Sequence, residues 1–152
     1  MAGAKFVYRA LSDIERADLA YRMIVNPTEP TMTKWIGQNG TLWEDFTFGY
    51  SKCHIMLGDF AAWAQQYVAG IRRPAAPGYA KSVIAPTVIP GLTWAGGCVR
   101  APQGDLKSEW KAARGRFELK VTVPAGTQAE VRLPDGTCRT AGSGERVFTC
   151  EI

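Results

Sequence analysis

The sequence is poor in the residues on which most metal centres and nucleophilic active sites depend. It has one histidine, His54, and four cysteines with no C-x-x-C spacing. It has no Walker loop, no G-x-G-x-x-G after a strand and no G-x-S-x-G elbow. A Cys–His dyad would need His54 to pair with Cys53, but neighbouring side chains on a helix do not face one another. The sequence therefore argues against zinc, nucleotide-binding and nucleophilic hydrolase sites.

Long apolar stretches and runs of like charge are also missing. No segment approaches the length of a membrane-spanning helix, and no apolar signal-peptide core follows Met1. The 18 Lys and Arg residues give a net charge of +4, but they are spread along the chain. We therefore expect no membrane partner and no nucleic-acid partner. The cellular compartment stays open, with the cytoplasm as the default.

The four cysteines leave two interpretations open. Cys138 and Cys150 flank a predicted hairpin and could form a disulfide, whereas Cys53 and Cys98 lie far apart in the sequence. The default expectation is four free thiols, most of them buried.

The first half of the chain has the apolar periodicity of helices. Apolar residues at steps of three and four predict one helix, with Ser12 or Asp13 as its N-cap, through Ile14, Ala17, Tyr21 and Ile24. Pro27 prevents this helix from continuing. A later helix has a single apolar stripe formed by Met56, Phe60, Trp63 and Tyr67. Gly70 is expected to end it.

Beyond residue 73 the apolar period changes to two, as in strands. Buried positions are expected to alternate with charged ones at Leu106, Ser108 and Trp110, and again at Phe117, Leu119, Val121 and Val123. We therefore predict an α+β architecture, with a helical domain at 1–73 and an antiparallel β-sandwich at 74–152. Trp63, Trp94 and Trp110 lie on apolar faces of this pattern and are expected in the core.

Aromatic and polar residues cluster in and just after the irregular stretch 26–52. Glu44 and His54 lie there among Trp35, Trp43 and further aromatic residues. Aromatic faces pack on the C–H surfaces of sugars and a positioned carboxylate moves a proton, so the pattern is typical of a sugar-cleaving site. Ordinary interpretations remain: Glu44 as a solvated or helix-capping carboxylate, His54 as a structural hydrogen-bonding residue, and the tryptophans as core.

Short motifs along nearly the whole chain point to one family. They are Ala-Asp-Leu-Ala-Tyr at 17–21, Asn-Pro-Thr at 26–28, Thr-Leu-Trp-Glu at 41–44, Ser-Lys-Cys-His at 51–54, Tyr-Val-Ala-Gly-Ile at 67–71, Ile-Ala-Pro at 84–86, Leu-Thr-Trp-Ala at 92–95, Ser-Glu-Trp at 108–110 and Val-Pro-Ala-Gly-Thr at 123–127. In combination they resemble the C-terminal part of the α-L-rhamnosidases of glycoside hydrolase family 78. Cys53 is a departure, because the family usually has an asparagine beside the histidine.

The resemblance implies a fold and a reaction. Residues 1–73 would be the last helices of an incomplete (α/α)6 toroid, and 74–152 the β-sandwich that follows it. The reaction would be inverting hydrolysis of terminal α-L-rhamnosides, with no cofactor and no metal. Glu44 would be the general base, and the rhamnose-containing substrate would be contacted by His54, Trp43 and Trp35.

The resemblance also implies that this chain is inactive alone. Family members are several times longer, and their general acid lies upstream of the region that this chain covers. The apolar helical stripes would pack on the chain's own sheet, on a second copy or on the missing N-terminal part.

Two other functions stay open at this point. A non-catalytic carbohydrate-binding module would hold sugar on exposed aromatic residues such as Trp94 or Trp110. A structural or interaction module would instead dock a partner chain through its helical stripe. In calorimetry with L-rhamnose, binding that is lost on substituting Trp94 or Trp110 but kept on substituting Glu44 would favour the first. A stable dimer or hetero-complex with no sugar affinity would favour the second.

Overall fold

The computed structural model describes residues 4–28, 32, 36, 40–44, 51–72, 74 and 77–152. Internal contacts divide the chain into two compact units, Met1–Trp63 and Ala64–Ile152. In the part of the chain that the structure describes, the first unit is mainly helical and the second consists mainly of strands, as the α+β prediction requires. The domain boundary at residue 73 stays a prediction. Within the described residues, no helix is both long and apolar enough to span a bilayer.

In the first unit, helix α1 covers Ala4–Asp13 and helix α2 covers Ala17–Val25. A 3-10 turn at Ile55–Gly58 leads into the short helix α3, Asp59–Trp63. A bidentate ion pair joins α1 to α3, with Arg9 Nε 3.1 Å from Asp59 Oδ2 and a terminal Arg9 nitrogen 2.9 Å from Oδ1. Because both partners are half-buried and doubly bonded, the pair fixes the packing of these helices.

The predicted N-cap at Ser12 or Asp13 is wrong. Helix α1 ends at Asp13, and Glu15 has a left-handed φ of +62° that breaks the helical path before α2. Ser12 therefore lies in the last turn of α1, where its hydroxyl donates to the Tyr8 carbonyl at 2.8 Å. The same oxygen accepts a hydrogen bond from Nε1 of buried Trp63 at 2.7 Å. Ile14 falls in the break and is 67% exposed.

The second unit begins with a π-helical turn at Ala64–Val68. The N–H of Ala69 donates to the Ala64 carbonyl at 2.8 Å, and that of Ile71 donates to the Gln65 carbonyl at 3.1 Å. Gly70, with φ of +83°, turns the chain at this point. The predicted end of the helical stretch at Gly70 is confirmed.

Strands form two sheets in the described part of the second unit. They are β1 Lys81–Ile84, β2 Trp94–Ala101, β3 Gly104–Ala113, β4 Arg116–Val123, β5 Gln128–Arg132, β6 Cys138–Ala141 and β7 Gly144–Glu151. The sheet orders are β1-β5-β6 and β2-β3-β4-β7. All pairs are antiparallel except β1 with β5, which the sequence did not predict. The parallel pair arises because the chain builds β2, β3 and β4 in the other sheet before returning as β5.

The alternating residues of β3 and β4 fill the sandwich core. Leu106, Ser108, Trp110, Phe117, Leu119, Val121 and Val123 are all buried, as predicted. The two polar side-chain groups in this set, the Ser108 hydroxyl and the Trp110 indole N–H, are both hydrogen-bonded. Ser108 Oγ donates to the Ala69 carbonyl at 2.6 Å, and Trp110 Nε1 donates to the Val68 carbonyl at 2.7 Å. These bonds tie the π-helical turn to the core without leaving an unsatisfied buried donor.

Trp94 is not in the core, which corrects the prediction. It pairs in register with Lys111 on β3, so its side chain lies on the outer face of the four-stranded sheet and is 68% exposed. Trp63 and Trp110 are buried as predicted.

The thiols also depart from expectation. All four cysteines are free, but three are exposed and only Cys150 is half-buried. Burial raises the pKa of the Cys150 thiol. Because three of the four thiols are exposed to solvent, the prediction that most of them are buried is wrong.

We expect Gly70→Ala to destabilise the second unit far more than Gly91→Ala. Both glycines have left-handed φ angles, +83° and +87°, so each substitution should cost about 1–2 kcal/mol of backbone strain. An ideal Cβ at Gly70 would also lie 2.3 Å from the Pro86 backbone nitrogen, whereas at Gly91 it would meet no atom within 4 Å. The resulting overpacking should add about 1–3 kcal/mol for Gly70 alone. Urea unfolding of both variants measures the difference. Equal losses of unfolding free energy would contradict the close approach of Gly70 to the Pro86 backbone.

Candidate functional site

Two short segments, residues 40–44 and 51–54, lie side by side and hold three of the predicted site residues. The N–H of Glu44 donates to the Ser51 carbonyl at 2.8 Å, and the N–H of His54 donates to the Leu42 carbonyl at 2.6 Å. The Thr41 hydroxyl adds a bond to the Lys52 carbonyl. These bonds set an antiparallel register that fixes the backbone on both sides of the site.

The Glu44 side chain is exposed at the end of this paired segment. Its Oε2 accepts a hydrogen bond from the Ser51 N–H at 3.4 Å. Backbone and side chain of Glu44 are thus both tied to Ser51. A carboxylate has about four acceptor positions, so this contact leaves capacity to accept a proton from water.

His54 lines a cavity of about 410 Å³, a size within the range of small-ligand sites. The cavity is lined by Ile36, Gly40, Thr41, Leu42, Cys53, His54, Ile55 and Gly58. His54 itself is half-buried and directly precedes the 3-10 turn at Ile55–Gly58. Neither Glu44 nor Trp43 is among these lining residues, so of the three predicted site residues that the structure describes, His54 alone lines this cavity.

Trp43 packs in part against a small hydrophobic cluster of the first unit. It is half-buried and packs against the buried side chains of Met32 and Leu57. The Lys52 ammonium lies 5.6 Å from the centroid of its ring, within the range of a cation–π contact. Trp35 lies outside the described residues. The roles assigned to Glu44, His54, Trp43 and Trp35 stay predictions.

Ser51 and Thr41 contribute to this region, although neither was predicted as a site residue. Ser51 holds Glu44 through its backbone carbonyl and N–H, and backbone groups give no side-chain signal in a sequence. The Thr41 hydroxyl acts on a carbonyl eleven positions away, which only the fold reveals. Among the residues that the structure describes, no group of three His, Cys, Asp or Glu side chains could hold a metal ion.

Two family models match consecutive parts of the chain. The bacterial alpha-L-rhamnosidase 6 hairpin glycosidase domain matches residues 1–68, and the bacterial alpha-L-rhamnosidase C-terminal domain matches residues 70–148. An alpha-L-rhamnosidase of Formosa agariphila is 27% identical over 140 residues, covering 86% of this chain and 15% of that protein. A second from the same organism is 29% identical over 160 residues, covering 97% of this chain and 17% of that protein. The chain thus spans less than a fifth of these relatives.

Solved structures share the fold. The α-L-rhamnosidase of Streptomyces avermitilis complexed with L-rhamnose aligns with a TM-score of 0.84 and 27% identity, over 98% of this chain and 17% of that chain. The α-L-rhamnosidase of Aspergillus terreus aligns with a TM-score of 0.86 and 24% identity, over 99% of this chain and 19% of that chain. These neighbours confirm the predicted fold class, helices of a six-hairpin toroid followed by a β-sandwich. By both its sequence and its fold, the chain belongs to the bacterial α-L-rhamnosidase family.

Proposed function

We propose that this chain carries the general base of an inverting glycoside hydrolase that acts on terminal α-L-rhamnosides, and that Glu44 is this base. The observation that carries the proposal is the exposed Glu44 carboxylate, anchored to Ser51 on the same pair of segments that holds His54 at a cavity. Membership of the α-L-rhamnosidase family supports the choice of substrate. The L-rhamnose in the related Streptomyces avermitilis structure is consistent with it.

In the proposed reaction, Glu44 removes a proton from water while the water oxygen forms a bond to the anomeric carbon of rhamnose. The bond from that carbon to the leaving oxygen breaks, and a general acid protonates the leaving oxygen. Inversion requires the two carboxyl groups to stand roughly 6.5–9.5 Å apart, with the water between the base and the sugar. We place the acid outside this chain, which spans less than a fifth of its relatives.

The proposed sugar contacts are His54, Trp43 and Trp35. Either ring nitrogen of His54 that carries a proton can donate to a sugar hydroxyl in the cavity that this residue lines. Trp43 would offer the part of its ring that does not pack on Met32 and Leu57. Trp43 and His54 belong to the same two segments that hold the base, so these two contacts would be positioned together with Glu44.

We further propose that residues 1–73 complete a larger catalytic domain and that residues 74–152 form its β-sandwich partner. Helices α1 and α2 present apolar side chains to solvent, with Val7 36% and Met23 47% exposed. A depression of about 730 Å³ on these helices is lined mainly by apolar groups, including Val7, Leu11 and Leu19. Further helices of the toroid would cover this face, as paired helices bury each other's apolar stripes. A second copy of the chain is the alternative cover.

The isolated chain is expected to hydrolyse an aryl α-L-rhamnoside no faster than the uncatalysed reaction. One carboxylate supplies the base but not the acid, and the leaving oxygen then departs without a proton. Release of the phenol from the purified chain measures this directly. Rapid turnover that Glu44→Gln abolishes would overturn this expectation.

A further inference from the structure

The outer face of the four-stranded sheet has a feature that the proposed catalytic function does not use. Trp94 begins the edge strand β2 and is 68% exposed. A depression of about 370 Å³ next to it is lined by Trp94, Ala95, Gly96, Glu109, Trp110, Lys111, Glu118 and Lys120. A large exposed aromatic ring beside a depression that is also lined by charged side chains is a common mark of a binding site.

We infer that this depression is a second carbohydrate site, which binds an uncharged pyranose sugar against the indole of Trp94. The described residues that line it lie within Ala64–Ile152, whereas Glu44 and His54 belong to Met1–Trp63. The site would hold a sugar without cleaving it. It is therefore independent of the base assigned to Glu44.

Gly96 creates the space beside the indole. On the outer face of β2 it is the next residue after Trp94, and it stands opposite Glu109 on β3. An ideal Cβ at Gly96 would lie 3.4 Å from Glu109 Cγ, so any longer side chain would occupy the depression. Gly96 is not one of the glycines with positive φ, so its backbone does not require glycine. The missing side chain instead leaves room for a flat ring to lie against Trp94.

The charges that line the depression favour an uncharged, hydroxyl-rich ligand. Glu109 stands opposite Lys120 on the neighbouring strand, and Lys111 stands opposite Glu118. An anion or a cation would meet both signs of charge, and an apolar ligand would have to desolvate all four groups. Sugar hydroxyls both donate and accept hydrogen bonds, so they match carboxylates and ammonium groups side by side.

Lys120 also forms an ion pair with a neighbouring strand. Its Nζ lies 2.9 Å from Glu145 Oε2 on β7, and the hydrogen bond and charge of Glu145 raise the pKa of Lys120. The ammonium group is therefore protonated at neutral pH and offers N–H donors at one side of the depression.

Proton–nitrogen correlation spectra of the five tryptophan indoles test the proposal on the full chain. The indole signal that disappears in Trp94→Ala identifies Trp94. Titration with L-rhamnose or D-glucose should shift this signal to saturation, with a Kd on the order of 1 mM, while the signal of Trp63, which is buried in the first unit, stays in place. D-Glucuronate, an anionic sugar, should shift the Trp94 signal less.

Two variants on the same face sharpen this test. Gly96→Val fills the depression with a residue that strands favour, so it should weaken the Trp94 shift at least tenfold while leaving the other signals unchanged. Arg100→Ala removes a side chain that is 90% exposed and lines no part of the depression, so it should leave the titration unaltered.

Several results would overturn this site. A Trp94 signal that no uncharged sugar moves, or that moves equally in Gly96→Val, excludes the proposed ligand. A Trp94 signal that changes with protein concentration alone identifies the face as a contact with a second copy. A shift confined to the Trp43 signal favours the site around Glu44 and His54 and excludes the one at Trp94.

Discussion

Glu44→Gln is expected to lower kcat by about 10²- to 10⁴-fold in a rhamnosidase whose matched C-terminal segment is replaced by this chain. The Streptomyces avermitilis enzyme is a suitable host, because this chain aligns to 17% of it with a TM-score of 0.84. Glutamine keeps the size of the side chain and can still accept a hydrogen bond, but it cannot take a proton from water. Initial rates with an aryl α-L-rhamnoside measure the loss.

A matched substitution in the same unit separates this effect from damage to the fold. Glu15→Gln makes the same chemical change at an exposed position of the loop between α1 and α2, so it should leave kcat within about twofold. Loss of a base acts on the transition state more than on binding, so KM for Glu44→Gln should change much less than kcat. Equal rates for the two variants would remove Glu44 from the mechanism.

Trp110→Ala is expected to lower the free energy of unfolding of the second unit by about 3–5 kcal/mol. The side chain is 1% exposed, and its ring centroid lies 5.5 Å from that of Phe117. Its Nε1 also donates to the Val68 carbonyl at 2.7 Å, so the substitution removes a buried hydrogen bond as well as packed surface. Urea unfolding followed by far-ultraviolet circular dichroism measures the change.

Trp94→Ala is the control for this measurement. It deletes the same side chain from the neighbouring strand, but on the outer face, where Trp94 is 68% exposed. Its unfolding free energy should stay within about 0.5 kcal/mol of the unsubstituted chain. Similar losses for the two variants would contradict the faces assigned to β2 and β3.

The sequence predicted the core of β3 and β4 because apolar and charged residues alternate there without interruption. Strand β2 has no such contrast. Its inward positions Ala95 and Gly97 are no more apolar than Trp94 or Cys98, so only pairing with β3 shows which face is buried. The parallel pairing of β1 with β5 joins segments that are distant in sequence, and no local pattern encodes such a contact.

The helices show the same difference between local and nonlocal information. The end at Gly70 was predictable because glycine accepts the left-handed conformation at a helix end. The break before α2 could not be predicted from the sequence. Ile14 fits the helical period, but Glu15 adopts a left-handed φ angle that interrupts the helix. In the candidate site, short motifs predicted Glu44 and His54, and the roles of both stay predictions. The hydrogen bonds that position these two residues involve the backbone of Ser51 and Leu42, so the residue types do not reveal them.

Chemical rescue of Glu44→Ala in the same chimera tests the role of Glu44 as general base most directly. Azide attacks the anomeric carbon without giving up a proton, so it needs no base, and alanine leaves room for it. We expect little turnover in water alone, restored turnover with azide, and a rhamnosyl azide of inverted anomeric configuration. Unchanged turnover of Glu44→Ala in water would contradict the assignment, as would a folded variant that azide does not reactivate.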